Sequence, residues 1–223
     1  MLNIKTRLLL ALLAVLALAA ASACSSGEEE NNVNANAPDA VTPFKSPNIF
    51  DPAQPAADFA LSDHEGREVK LSTLKGKPVV LTFLYTNCPD VCPIITAKLN
   101  QTIQLLGPDA SKVVIVAVTV DPERDTQARA KQYSDQQGIG DKWHFVIAPD
   151  AALLQPVWEA YGVYQQREKA LSEQQGTPHP ESPYTVAHSA PVHVIDKDGN
   201  KKLAYGGFEL LPEDLAHDLK LLF

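Results

Sequence analysis

The stretch YTNCPDVCP, residues 85–93, places Cys88 and Cys92 four apart, each followed by a proline; Cys24 is the one other cysteine of the chain. A structural disulfide, a redox couple and a metal site all start from such a pair. A disulfide can bridge i, i+4, but so short a loop gains little by constraining the unfolded chain. A thioredoxin-type redox couple has two intervening residues; this pair has three, Pro89, Asp90 and Val91. Structural zinc asks for four ligands and is poorly served without a second cysteine pair. Copper(I) favours soft thiolates and accepts two or three ligands. At or just before a helix N-terminus, the positive end of the helix dipole would favour the thiolate that nucleophilic attack and metal binding both need.

A third ligand is sought among six histidines. His217 lies in a closing helical pattern and His179 in a polar stretch, both places for solvated side chains. His64 falls in a hairpin turn. His144 and His193 lie within strand patterns, where a packed or hydrogen-bonded imidazole is the plain expectation. His188, in YTVAHSAP, stands just before a strand of the C-terminal half.

The elements that must position these groups follow from periodicity. Residues 58–71 alternate around His64-Glu65-Gly66, predicting a β-hairpin. VVLTFLY (79–85) and KVVIVAVTV (112–120) are continuous apolar runs, as in strands buried on both faces. Between them Ile95, Leu99, Ile103 and Leu106 recur on one helical face, closed by Gly107-Pro108. A polar helix over 125–138, a strand over 143–148 and a helix over 150–163 containing Pro156 come next. Residues 165–182 read as an inserted surface excursion. Strands over 189–196 and 201–205 flank the KDGN turn, and 211–223 closes as an amphipathic helix with Leu215, Leu219 and Leu222 inward. The fold class is α/β: a thioredoxin-like fold with a central mixed sheet flanked by helices, plus an N-terminal β-hairpin. Such sheets carry their chemistry at the carboxyl ends of the strands. The cysteine loop follows VVLTFLY there, and the loop before the 189–196 strand abuts it, which favours His188 as the third ligand.

The chain opens MLNIKTRLLLALLAVLALAAASAC. Lys5 and Arg7 precede an apolar run from Leu8 to Ala20, too short for a comfortable transmembrane helix, which needs roughly 20 residues. Residues 1–23 therefore read as an export signal. Its end resembles the bacterial lipoprotein signal, with Cys24 the lipidated residue, although Ala21 stands where that signal usually has Leu. An ordinary cleavage site after Ala21-Ser22-Ala23 and an uncleaved anchor are the alternatives. Residues 24–50 read as the anchor and a flexible tether of ~25–30 Å mean span, and 51–223 as the folded domain. Apolar residues make up 45% of the chain, enough for one core. A formal charge of −8 with no Lys/Arg cluster excludes a nucleic-acid surface.

TNCPDVCP (86–93), VDPERDT (120–126) and YTVAHSAPVHVIDKDG (184–199) together resemble the Sco/SenC family of copper chaperones, over roughly residues 55–222. The resemblance implies a membrane-tethered, extracytoplasmic (periplasmic) domain holding one copper, Cu(I) and/or Cu(II), with Cys88, Cys92 and His188 as ligands. Asp90, Asp121 and Arg124 become supporting residues, with Asp121 to Thr126 shaping or docking near the site. Many members carry Asp before the ligand histidine; here it is Ala187. The implied task is delivery of copper to the dinuclear copper site of cytochrome c oxidase. The alternative is a thiol–disulfide oxidoreductase acting on that site's cysteines through Cys88 and Cys92. The implied partners are the copper-site subunit of the oxidase, a copper donor or thiol reductant, and the membrane through the lipid on Cys24.

Overall fold

The apolar runs become the centre of one sheet. The computed structural model describes residues 42–169 and 184–223. In chain order the elements are β1 (Asn48–Pro55), β2 (Ala60–Asp63), β3 (Glu68–Lys70), β4 (Val79–Leu84), α1 (Val91–Leu106), β5 (Val114–Thr119), α2 (Gln127–Gln136), β6 (His144–Ile147), α3 (Ala151–Ala160), β7 (Gln165–Lys169), β8 (Tyr184–His188), β9 (Pro191–Ile195), β10 (Asn200–Gly206) and α4 (Pro212–Lys220). Eight strands form a mixed sheet in the order β1-β10-β9-β4-β5-β6-β2-β3, while among the described residues β7 and β8 pair only with each other. Strands β4, β5 and β6 are parallel; β9 runs antiparallel to β4 and β10 antiparallel to β9. Every residue of β4 is buried, as its uninterrupted VVLTFL demands. Helix α1 buries Ile95, Leu99 and Leu106, with Ile103 partly covered. Pro156 lies inside α3 without ending it. In α4, Leu215 and Leu219 are fully buried and Leu222 packs partly against the core beyond the helix end. No helix among the described residues is long and apolar enough to cross a membrane.

Two readings change. The tether does not run to residue 50. Strand β1 begins at Asn48 and pairs antiparallel with β10, and the chain just before it is clamped by the C-terminal helix. Asp218, wholly buried, accepts from Lys45 N (2.7 Å), Ser46 N (2.9 Å) and Tyr205 Oη (2.5 Å). The polar 165–182 stretch begins as a strand, since β7 pairs with β8 in register from Gln165↔His188 to Lys169↔Tyr184. Residues 1–41, with the signal and Cys24, and 170–183, with His179, lie outside the described residues.

The hairpin is bolted to the sheet by polar groups. Asp63 is fully buried and accepts from Glu65 N, Arg67 N, the Arg67 guanidinium and His144 Nδ1, all at 2.8–2.9 Å. Burial alone would raise its pKa; the bonds from His144, Arg67 and the backbone overcome that and hold it at about 2. His64, in the turn, is buried rather than solvated. Its Nε2 donates to Gly140 O (3.0 Å) and its Nδ1 accepts from Phe145 N (3.2 Å), so the ring is a neutral tie between hairpin and β6.

Two outcomes follow from these ties. A chain beginning at residue 51, or one carrying Asp218→Ala, strands buried donors or their acceptor. Each should lose about 2–3 kcal/mol and melt roughly 5–10 °C lower in calorimetry; unchanged melting would show that residues 44–50 contribute nothing. Because the folded pKa of Asp63 lies below the ordinary value near 3.8, its contribution is intact above pH 4 and is lost as pH falls toward 2. Asp63→Asn should remove about 2 kcal/mol of stability at pH 7 and flatten the acid limb of the stability curve.

Candidate metal centre

Strand β4 ends at Leu84 and the chain turns through 85–90 before α1 begins. The turn is held from below by Asp125, only 1% exposed. Its Oδ1 accepts from Thr86 N (3.0 Å) and Thr86 Oγ1 (2.6 Å), and its Oδ2 from Thr119 Oγ1 (2.6 Å). One carboxyl group thus joins the ends of β4 and β5. Burial raises its pKa to about 6 against the pull of those three bonds.

The cysteines face different environments. Cys92, in the first turn of α1, is completely buried, and Cys88 in the loop is half-buried; both are reduced. The Asp90 side chain makes no cap bond to α1. Instead Cys88 Sγ accepts from Cys92 N at 3.3 Å, so sulfur takes one of the bare amides of the helix start. The Cys92 thiol beside it, the amides of Asp90 and Cys92 and the Tyr85 hydroxyl together lower the pKa of Cys88. Burial, then the neighbouring Cys88, push Cys92 well up. The pair is a thiolate-prone sulfur in front of a protonated one.

His188, the last residue of β8, brings its Nε2 to 3.7 Å from Cys92 Sγ. Its Nδ1 lies 3.0 Å from Ser189 O, and since a carbonyl only accepts, Nδ1 carries the proton and the Nε2 lone pair faces the sulfur. Burial lowers its pKa, so the ring stays neutral. The edge of the Tyr85 ring abuts it at 5.6 Å between centroids. Neutral imidazole with its second nitrogen fixed to a carbonyl is the usual form of a metal-ligating histidine. Among the described residues no three His, Cys, Asp or Glu side chains are already gathered as a finished metal site. Cys88, Cys92 and His188 form a chain of contacts through Cys92, with donors suited to a soft ion.

Of the supporting residues, Asp121 and Arg124 do form a network. Arg124 Nε donates to Asp121 Oδ2 (2.5 Å), Arg124 NH1 to Tyr184 O (2.8 Å), and Tyr184 Oη to Asp121 Oδ1 (2.8 Å). The exposed Asp90 carboxylate joins none of this, and Asp90 acts on Cys88 through its backbone amide. His144 and His193 are hydrogen-bonded in strands as expected, and His217 is half-exposed beside Asp218. Tyr85 and Tyr184 were missed as site residues; the aromatic two places before the cysteine-loop asparagine and the one opening YTVAH were the available signals.

At pH 7 an alkylating reagent should modify Cys88 at least ~10-fold faster than Cys92 in the native reduced chain, by peptide mass spectrometry. Equal rates would remove the asymmetry between the two sulfurs.

The SCO1/SenC family model matches residues 50–223. A SCO1 protein homolog of Bacillus subtilis is 27% identical over 164 residues, covering 73% of this chain and 79% of that one. The mitochondrial SCO2 homolog of Bos taurus is 31% identical over 147 residues, 64% of this chain and half of its own length. The solved structure of Bradyrhizobium japonicum ScoI with copper bound superposes with a TM-score of 0.64 at 32% identity, covering 75% of this chain and 99% of that one. BsSco, described as a member of the Sco family of cytochrome c oxidase assembly proteins with a disulfide switch, shares the fold at TM-score 0.58 and 24% identity, over 78% and 97%. With the family model covering the whole described fold after its first strand has begun, the chain belongs to the SCO1/SenC family.

Proposed function

We propose that this protein is an extracytoplasmic copper chaperone that carries one copper ion on Cys88, Cys92 and His188 and delivers it to the dinuclear copper site of cytochrome c oxidase. The observation that carries the reading is the approach of His188 Nε2, in its metal-ligating tautomer, to Cys92 Sγ at 3.7 Å. A purely redox cysteine pair has no need of that lone pair. Copper bound by the relative from Bradyrhizobium japonicum, and oxidase assembly named for BsSco, support the same reading. Cargo must leave as well as bind. Two thiolates and one imidazole hold a soft ion; Cys92 stands on α1, whereas Cys88 stands in the loop before it and His188 on β8, outside the eight-stranded sheet, which leaves two of the three ligands on elements that can yield the ion.

The asymmetry of the two sulfurs favours a second reading, thiol–disulfide exchange. The Cys88 thiolate would attack a partner disulfide, forming a mixed disulfide and releasing one partner thiol. Cys92, losing its proton, would then displace the second, leaving Cys88–Cys92 oxidised and the partner reduced by two electrons and two protons. Both readings need the cysteines, but only the first needs His188. The lipid on Cys24 and the extracytoplasmic position remain part of the proposal from sequence, and mass spectrometry of the mature N-terminus checks them: an acylated Cys24 supports anchoring, a free Ser25 or intact Met1 defeats it.

The decisive experiment compares Cys88→Ser, Cys92→Ser and His188→Ala. The reduced chain should bind one equivalent of copper, and Cu(II) should show a thiolate-to-copper absorption band that either serine variant abolishes. His188→Ala should weaken copper retention by about 10-fold or more and alter the band, yet still form the Cys88–Cys92 disulfide. In cells, His188→Ala should lose oxidase copper loading as fully as Cys88→Ser. Full oxidase activity in His188→Ala cells beside failure in Cys88→Ser cells would transfer the function to thiol exchange.

A further inference from the structure

We propose that Tyr184 and Tyr85 are positioning residues that set where His188 stands against the cysteine pair. The inference rests on the copper reading above. Its starting point is a topological fact: β8, which carries His188, has no ladder bonds to the eight-stranded sheet and pairs only with β7. A strand inside a sheet is located by its neighbours' backbone; β8 must be located otherwise.

Side chains do so. Residues alternate faces along a strand, so Tyr184, Val186 and His188 share one face of β8. All three touch the body of the domain. Tyr184 Oη donates to the buried Asp121, and its carbonyl accepts from Arg124 NH1. Its ring carries the Arg124 guanidinium at 3.7 Å and the Arg167 guanidinium at 4.9 Å. Arg167, on β7, is also paired with Glu123 at 2.7 Å, so both strands of the ribbon are tied to the 121–126 loop. Val186 N donates to Tyr85 Oη at 3.3 Å. Tyr85 is 2% exposed at the end of β4; its hydroxyl also reaches the Cys88 thiol and its ring edge meets His188. Beyond β8, Ser189 N donates to Tyr164 O at 3.0 Å.

Tyr184 lies four residues, roughly 13 Å along an extended strand, from His188. A slip or roll of β8 released at Tyr184 moves Val186 and His188 with it, because they share a face. The hydrogen bond that His188 Nδ1 donates to Ser189 O fixes the tautomer of His188 but joins adjacent residues and does not itself set the distance from Cys92. The backbone bonds of Ser189 and Ala190 hold the end of β8 that leads into β9, and Tyr184 at the other end and Tyr85 at the middle set how the strand lies against Cys92. The Tyr184 side chain engages Asp121 and two guanidiniums, so it acts on the third ligand selectively, whereas Tyr85, whose hydroxyl reaches Cys88, touches both halves of the site.

The test uses the purified full chain with Tyr184→Phe, Tyr85→Phe and His188→Ala. Tyr184→Phe keeps the ring against the two guanidiniums and removes the hydroxyl that bonds to Asp121. Four quantities are read: retention of copper against a competing chelator, the Cu(II) absorption band, the rate of Cys88–Cys92 disulfide formation, and Tm. Tyr184→Phe should weaken copper retention roughly tenfold and move the band toward that of His188→Ala, with disulfide formation within about twofold of the parent and Tm within about 3 °C. Tyr85→Phe should move the band in the same sense. Parent-like retention and spectrum in both variants overturn the proposal. So does a loss of copper accompanied by equal slowing of disulfide formation and a large fall in Tm, which would make the clamp merely structural. A parent chain that takes up no copper, or a His188→Ala band identical to the parent's, defeats the copper reading itself and the clamp with it.

Discussion

The contact between Cys92 Sγ and His188 Nε2 joins side chains 96 residues apart, and most of the architecture serves to make it. One partner cannot move. Cys92 sits in the first turn of α1, packed at zero exposure, with Thr96 Oγ1 bonded back to its carbonyl and Ile95 against the core. The loop that feeds α1 is pinned by Asp125 to the ends of two parallel strands. The other partner rides on a ribbon outside the main sheet, held by side chains. A contact between a group packed in the core and one on a separate ribbon is a different object from a rigid three-ligand cage, and it is what the proposed delivery of an ion would call for.

The same division explains the charges. Three buried or paired carboxylates flank the site, Asp121 held by Arg124 and Tyr184, Asp125 by two threonines and Glu123 by Arg167, while the Asp90 carboxylate is exposed. Asp125 adds its charge to the burial that pushes Cys92 up, while the Cys88 thiol is lowered by hydrogen bonds and amides rather than by a cation. A lysine or arginine placed directly against Cys88 would stabilise the thiolate too, but it would oppose a bound copper ion by like charge. Lowering the pKa with neutral donors gives nucleophilicity and metal affinity together.

How much of this could be read from sequence depends on whether the responsible contact is local. The buried strands and α1 announce themselves, since VVLTFL and the Ile95–Leu99–Leu106 face have no alternative but a core. Asp121 and Arg124 were picked out by the resemblance of VDPERDT to the family, and they pair within one turn of the chain. Strand β1 was not expected, because NIFDPAQP is proline-bearing and only half apolar; it is a strand because β10, some 150 residues later, offers a free edge and Asp218 captures the amides ahead of it. His64 looked like a turn residue and is buried, because its two ring nitrogens are satisfied by Gly140 and Phe145 on another element. The polar QQREK segment gave no apolar alternation, as its partner is another short ribbon strand and not the core.

His188 was legible through its place before a strand and through the family resemblance of YTVAHSAP, but the tautomer that suits it to a metal was not. What makes it a ligand candidate is the Ser189 carbonyl that holds the proton on Nδ1, a bond set by the turn that leads into β9. That turn is in turn fixed by Gly207, whose amide donates to Ala190 O at 3.0 Å; a Cβ there would lie 2.3 Å from that oxygen and against Ile95. The 206–209 loop can therefore approach the histidine segment only as glycine. Ile95 is a residue of α1, three positions after Cys92, so the loop that supports the histidine rests on the helix that carries the sulfur. The two halves of the site are referenced to each other through apolar packing and one close backbone approach, and the polar clamp at Tyr184 then adjusts a ligand whose neighbourhood is already defined.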